Sequence, residues 1–379
     1  MTTALFILFG LCIAAWIYLI VLRGGYWQLQ ERLPGEMKTP ETWPTVAVVI
    51  PARNEADLIG ETVRRLTEQT YPGDLRLIVV NDHSEDGTGD KARQAGNDRT
   101  VVIDAEARPE GWMGKVWAME QGVRHLREMG AEPDYILFTD ADIHHPPDSV
   151  SRLVAHAEED RRDLVSLMVR LKVETFWERL LIPVFVLFFS KLYPFGWVND
   201  PTKSTAAAAG GCMLVRNEVV QRANLMEAIR GELIDDCALA RAVRDAGSGR
   251  IWLGLTEDVH SARAYGGLSG VWDMVARTAF TQLRFSPILL LGSVAGMISL
   301  YLSWMLALPF DIGLAIGCFA LPILTFSPAL RLYGQPAWMM ALLPLAGLMY
   351  ALMTLDSARR HWTGRGGNWK GRYQAKIAK

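Results

Sequence analysis

Cysteine is scarce in this chain of 379 residues, which holds four: Cys12, Cys212, Cys237 and Cys318. Two lie in apolar segments and two stand alone, so no spacing reads as a zinc site or a disulfide framework. That excludes a disulfide-stapled secreted scaffold and fits a reducing compartment. Net charge is small as well, −2, and says nothing about nucleic acid. The polar part carries no basic stripe interleaved with aromatic residues, so no nucleic-acid partner is expected. Charge is missing altogether from residues 1–22, 285–310, 312–330 and 332–355. Each run is near or above the ~20 residues that a membrane-spanning helix needs. The first run lacks a basic leading region and a small-residue cleavage site before Arg23. Those lacks exclude a cleaved signal peptide and predict a retained anchor over residues 1–23.

What is present is an apolar chain, 50% hydrophobic, with one large polar block at residues 44–265. The block is about the size of one α/β domain. The expected order is anchor, aqueous domain, apolar segments over 286–356 and a basic tail over 357–379. Inside the block, apolar runs alternate with helical spacing. TVAVVI (45–50), LRLIVV (75–80), TVVI (100–103) and YILFT (135–139) read as strands, with helices after three of them. IWLGL (251–255) reads as a late strand. Such alternation predicts an α/β fold, a doubly wound and mostly parallel sheet with polar residues gathered on the loops at its strand ends. Pro51 is expected to stop the first strand. Residues 217–229 are expected to form one helix. Residues 176–198 hold an eleven-residue uncharged core, LLIPVFVLFFS, flanked by Trp177, Tyr193 and Trp197. That length is too short to span, so the segment reads as an interfacial helix or equally as a buried one.

The chain is organised around YILFTDAD, residues 135–142. Asp140 and Asp142 leave the end of a buried strand, and in extended backbone residues two apart point the same way. Two carboxylates aimed at one spot call for a cation, and a hard divalent ion that also holds phosphate, Mg2+ or Mn2+, suits them. Alone, the pair also reads as a helix cap and a solvated loop residue. Other loops add candidates. Pro51, Arg53, Asn54 and Glu55 follow the first strand: Arg53 suits a diphosphate and Glu55 a base or ribose, while Asn54 also reads as a helix cap. Asp82 ends the second strand, where it accepts from a nucleobase or a ribose, or closes an Asx-turn. Lys115 stands near a helix start, a place that favours phosphate. Asp235 and Asp236 open a helix; the dipole accounts for one, leaving the other as a general base. His260, with Arg263 close by, reads as a third metal ligand or a structural histidine. Arg284 stands before the first C-terminal run, as a phosphate contact or a snorkelling arginine.

In this order the motifs resemble the family 2 glycosyltransferases with the GT-A fold (nucleotide-diphospho-sugar transferases), over about residues 46–285. The resemblance implies Asp82 as the uracil contact, Asp140 and Asp142 as the metal-binding D-x-D, and Asp236 as the catalytic base. It implies a UDP-sugar donor. Arg284-Phe285 stands where many members have R-W in Q/R-x-x-R-W, and Thr281 replaces the first residue of that motif; this departure argues against a polysaccharide synthase. GWMGKVWAMEQG, TLDSARR and GGNWKGR are similar to the hopanoid-biosynthesis-associated branch, relatives of ceramide glucosyltransferase.

The expected reaction is an inverting transfer from a UDP-sugar to a membrane lipid hydroxyl, with Arg284 and Lys115 near the phosphates. A polyprenyl-phosphate sugar transferase and a catalytically dead nucleotide-sugar-binding membrane protein are the alternatives. The domain is expected in the cytosol, on a multi-pass protein of the inner membrane, since Arg23 follows the first run. The basic tail should lie on the same side. Three full C-terminal crossings would forbid that, so one of the three runs is expected not to cross, with Pro322, Pro328 and Pro344 breaking or turning back a helix.

Overall fold

The computed structural model describes residues 2–367. Its centre is an eight-stranded sheet in the order β3-β2-β1-β4-β7-β6-β8-β5. The strands are β1 (Val46–Ala52), β2 (Leu75–Asn81), β3 (Thr100–Asp104), β4 (Tyr135–Thr139), β5 (Ile143–His144), β6 (Leu164–Arg170), β7 (Cys212–Arg216) and β8 (Ile251–Ser261). β1 and β4 are buried along their whole length, as their unbroken apolar sequences require. The pairs β1–β2, β1–β4, β2–β3 and β6–β8 are parallel. β7 runs antiparallel to β4 and β6, and β5 to β8. Thr139 pairs with Cys212, so the end of β4 and the entry to β7 share one edge with the ends of β1 and β2.

Helices cover both faces: α2 (Ile59–Thr67), α3 (Thr88–Ala95), α4 (Gly114–Glu128), α5 (Ser149–Glu159) and, further on, α10 (Asp235–Ala246). Before them stands α1 (Thr2–Leu22), and between them α6 (Phe176–Leu192) and the short α7 (Phe195–Val198), α8 (Asn217–Arg222) and α9 (Leu225–Ala228). The chain ends in α11 (Leu268–Gln282), α12 (Pro287–Ala307), α13 (Ile312–Leu332) and α14 (Leu343–Trp362).

Three sequence expectations fail locally. Pro51 does not stop β1, because Pro51 pairs with Val80 and Ala52 with Asn81. Pairing with β4 has already ended at Val49, so the missing proline N–H falls where one neighbour is gone. The helix over 217–229 is two helices, split at Asn224, whose φ is 43°. Pro322 and Pro328 lie inside an unbroken α13; the interruption comes later, as a 3-10 turn over Ala337–Leu342 ahead of α14. The tail call falls partly outside the described residues, since GGNWKGR is described only for Gly366 and Gly367.

Among the described residues five helices are long and apolar enough to cross a membrane: α1, α6 with α7, α12, α13 and the 337–362 segment. They differ in setting. Only 17% of the α1 and α12 windows is buried within the protein, against 56% for α6 and 50% for α14. Thr175 and Glu178 form a capping box that starts α6. Leu180–Ile182, Val184, Val186 and Leu187 bury its inner face. α14 lies against α6 and α11: the Tyr350 hydroxyl donates to the Leu181 carbonyl, Trp272 donates to Asp356, and Arg360 pairs with Asp273 at 2.7 Å. At the end of α13, the Tyr333 hydroxyl accepts from the Leu171 N–H. The end of α13 therefore meets the end of β6, and α14 is fastened to α6 and α11.

Candidate active site

The sheet edge opens into a cavity of about 840 Å3. Part of its lining comes from the strand ends: Pro51 in β1 with Arg53 and Glu55 after it, Asp140 and Asp142 after β4, Gly210 and Gly211 before β7, and Ser261 and Arg263 at the end of β8 and just past it. Lys115 of α4 and Asp235 and Asp236 of α10 join them. The rest of its lining includes Phe185 and Phe189 of α6, Met274 and Arg277 of α11, and Arg359, Arg360 and Arg365 at or beyond the end of α14.

Asp140 and Asp142 are not in extended backbone. The Ile143 N–H reaches the Asp140 carbonyl at 3.2 Å and closes a turn. Both side chains nevertheless reach the cavity. Asp142 is 8% exposed and accepts from Ser261 Oγ at 2.8 Å and Arg263 Nε at 3.1 Å. Arg263 also holds Glu55 at 2.5 Å, so one guanidinium ties the loops after β1, β4 and β8 together. Asp140 pairs with Lys115 at 2.7 Å. Burial raises the Asp140 carboxyl above the usual carboxylate range, against the pull of the ammonium. Burial also opposes charge on Lys115, but Asp140 and Asp235 raise its pKa above that of a free lysine.

Asp236 sits in the first turn of α10. Its Oδ2 accepts from the Gly210 N–H at 3.0 Å and its Oδ1 from the Cys237 N–H at 2.7 Å. Burial first, and then Asp235, push its carboxyl up to about 6, against Lys115 and those two N–H groups. Asp235 Oδ2 is buried with no hydrogen bond, and Lys115 stands 3.5 Å away. A Cβ at position 210 would meet Lys115 Nζ at 3.2 Å and Asp236 Oδ2 at 3.5 Å, so glycine there lets the backbone come in close.

Not every expected residue arrives. His260 is turned away. It alternates with Ser261 along β8, so Ser261 faces Asp142 and His260 faces His144, ring to ring at 5.4 Å. Among the described residues no group of three His, Cys, Asp or Glu side chains is placed to hold a metal. Arg284 is exposed with φ 52° beyond the end of α11 and does not line the cavity; Arg277, two turns earlier on α11, does. Asn54 caps no helix. Its φ is 50°, its N–H donates to Ser84 Oγ and its Oδ1 accepts from the Glu85 N–H, which joins the first loop to the second. Asp82 is fully enclosed, 3.9 Å from the guanidinium of Arg53; Arg53 lines the cavity in front of it. Ser261 and Arg277 were not foreseen. β8 continues six residues past Leu255, and period two then points Ser261 inward.

A curled, mostly parallel sheet whose strand ends present paired acids is the GT-A class of nucleotide-sugar transferase. Residues 47–223 match the family model of Glycosyl transferase family 2. The chain therefore carries a family 2 glycosyltransferase domain on a GT-A fold. The 4,4'-diaponeurosporenoate glycosyltransferase of Staphylococcus aureus (strain bovine RF122 / ET3-1) is 38% identical over 100 residues, 26% of this chain and 24% of that protein. Its counterpart in strain USA300 is 38% identical over 99 residues, with the same shares of 26% and 24%. The chain thus spans about a quarter of the length of the curated relatives it matches. The mannosyltransferase PcManGT from Pyrobaculum calidifontis, solved in complex with GDP-Man and Mn2+, aligns over 93% of this chain and 99% of its own, with a TM-score of 0.53 and 20% identity.

Proposed function

We propose that the protein transfers a sugar, with inversion, from a UDP-sugar to the hydroxyl of a membrane lipid. One observation carries the reading: Asp140, Asp142 and Asp236 line a single cavity whose other wall is apolar and built from helices of membrane character. The residues fit a divalent cation. Asp140 and Asp142 offer hard carboxylate oxygens, and with no third protein ligand the donor's phosphates and water would complete its shell. Bound there, Mg2+ or Mn2+ would supply charge neutralisation for the departing diphosphate. Asp236 takes the proton of the acceptor hydroxyl as that oxygen attacks the anomeric carbon. The N–H groups of Gly210 and Cys237 aim its two oxygens. Arg53 and Glu55 serve the nucleotide end, with the enclosed Asp82 3.9 Å from the Arg53 guanidinium, and Phe185, Phe189 and Met274 receive the lipid.

The membrane arrangement follows the same geometry. α1, α12 and α13 cross, while α6 and α14, half-buried in the protein, lie along the inner face of the cytoplasmic membrane. That places Arg359, Arg360 and Arg365 on the catalytic, cytosolic side and removes the conflict with the positive-inside rule. The hopanoid- or ceramide-like acceptor fits the apolar wall. An acidic acceptor is the second reading, because Arg277, Arg359, Arg360 and Arg365 ring one side of the cavity. The name of the S. aureus relative, which specifies a carotenoid acid, leans the same way. Such an acceptor is already an anion and needs no base.

The test is calorimetry with UDP-sugars and Mn2+, followed by mass spectrometry of lipids from cells with and without the protein. Saturable UDP binding and a hexose-bearing lipid are expected. A protein that binds no nucleotide sugar ends the proposal.

A further inference from the structure

The acids that would receive a divalent cation are held by the chain's own cations. Asp142 is bound by Arg263, which Glu55 anchors on its other side. Asp140 is bound by Lys115, which pairs with Asp140 Oδ1 at 2.7 Å and Asp235 Oδ2 at 3.5 Å. Asp235 Oδ2 is buried and makes no hydrogen bond. The ammonium therefore already stands within ion-pair reach of a second carboxylate oxygen that lacks a hydrogen bond. Gly210 leaves room for the ammonium where it stands, since a methyl group there would come within 3.2 Å of Nζ.

We propose that Lys115 is a displaceable counter-ion. In the resting protein it occupies the face of Asp140 that a divalent cation takes. When the cation enters with its nucleotide, the ammonium moves to Asp235 and the donor's diphosphate. The inference rests on the nucleotide-sugar reading of the cavity. Its chemistry is competition followed by recruitment. An ammonium 2.7 Å from Asp140 Oδ1 and a divalent cation on the same carboxylate repel each other, so metal alone is opposed by Lys115. A cation that brings phosphates gives the ammonium a new anionic partner. Metal and nucleotide then bind cooperatively, each raising the affinity for the other.

The experiment uses the full chain in detergent. Free Mn2+ is followed by its paramagnetic resonance signal and UDP binding by calorimetry. Lys115→Met should bind Mn2+ alone at least tenfold more tightly and UDP at saturating Mn2+ at least tenfold more weakly. Loss of structure cannot produce those opposite signs. Lys115→Arg should keep the wild-type Mn2+ affinity. Gly210→Ala, whose methyl presses on the ammonium, should shift Mn2+ affinity in the same direction as Lys115→Met. Unchanged or weaker Mn2+ binding in Lys115→Met overturns the proposal, whatever Gly210→Ala does. A wild-type chain that binds neither Mn2+ nor UDP overturns the nucleotide-sugar reading together with it. A wild-type chain that binds both while Lys115→Met gains no Mn2+ affinity overturns this inference alone.

Discussion

Asp236 is poised between acid and base. Burial, then Asp235, hold its carboxyl near 6. The raised value means that the anion, the form able to accept a proton, exists above about pH 6 and is lost as pH falls through it. Below about pH 6 the transfer rate should therefore fall roughly tenfold per unit, as expected for an essential base. A flat pH profile from 5 to 8 would remove Asp236 from that role. Asp236→Asn should lower turnover about 100-fold or more while leaving UDP affinity within about twofold, read by steady-state kinetics and calorimetry. A mild effect on turnover would favour the acidic acceptor. At this scale the sequence was informative where charge must end a strand or open a helix: Asp140, Asp142, Asp235 and Asp236 all reach the cavity. It was uninformative for Arg277 and Ser261, whose roles depend on a helix facing and on a strand length that only packing decides. It misplaced Arg284 because a motif position does not say where α11 stops.

Elements explain the rest of what was hidden. β6 and β7 carry the apolar sequences LVSLMVR and CMLVR, yet their neighbourhood is rich in small residues and lacks the alternation that marked β1 to β4. Their antiparallel joints to the sheet come from long-range pairing, which local periodicity does not encode. α6 was legible as an apolar helix but not as a structural joint. Glu178 is 1% exposed and accepts from the N–H groups of Glu174, Thr175 and Gly267, at 2.8, 2.8 and 3.0 Å. It thus starts α6 and fastens it to the entry of α11. Glu178→Ala strands three N–H groups and should cost about 3 kcal/mol, measured by denaturation of the detergent-solubilised chain. Glu178→Gln, which keeps one acceptor oxygen, should cost less. Equal stability of the alanine variant would show that the joint is held by apolar contacts alone.

The molecule as a whole has its first strands and its last helix on one cavity. A cysteine placed at Arg365 should react with a membrane-impermeant maleimide from the same side as one placed at Asp104, an exposed position at the end of β3. Labelling from opposite sides would show that α14 crosses. The apolar runs were legible by length alone; whether a run crosses or lies flat was not, because that depends on what it packs against. The shared cavity also sets a schedule. A chain emerging from the ribosome owns the acidic half of its pocket long before the arginines of α14 exist. Any step that uses those arginines has to wait until α14 has been made and has docked.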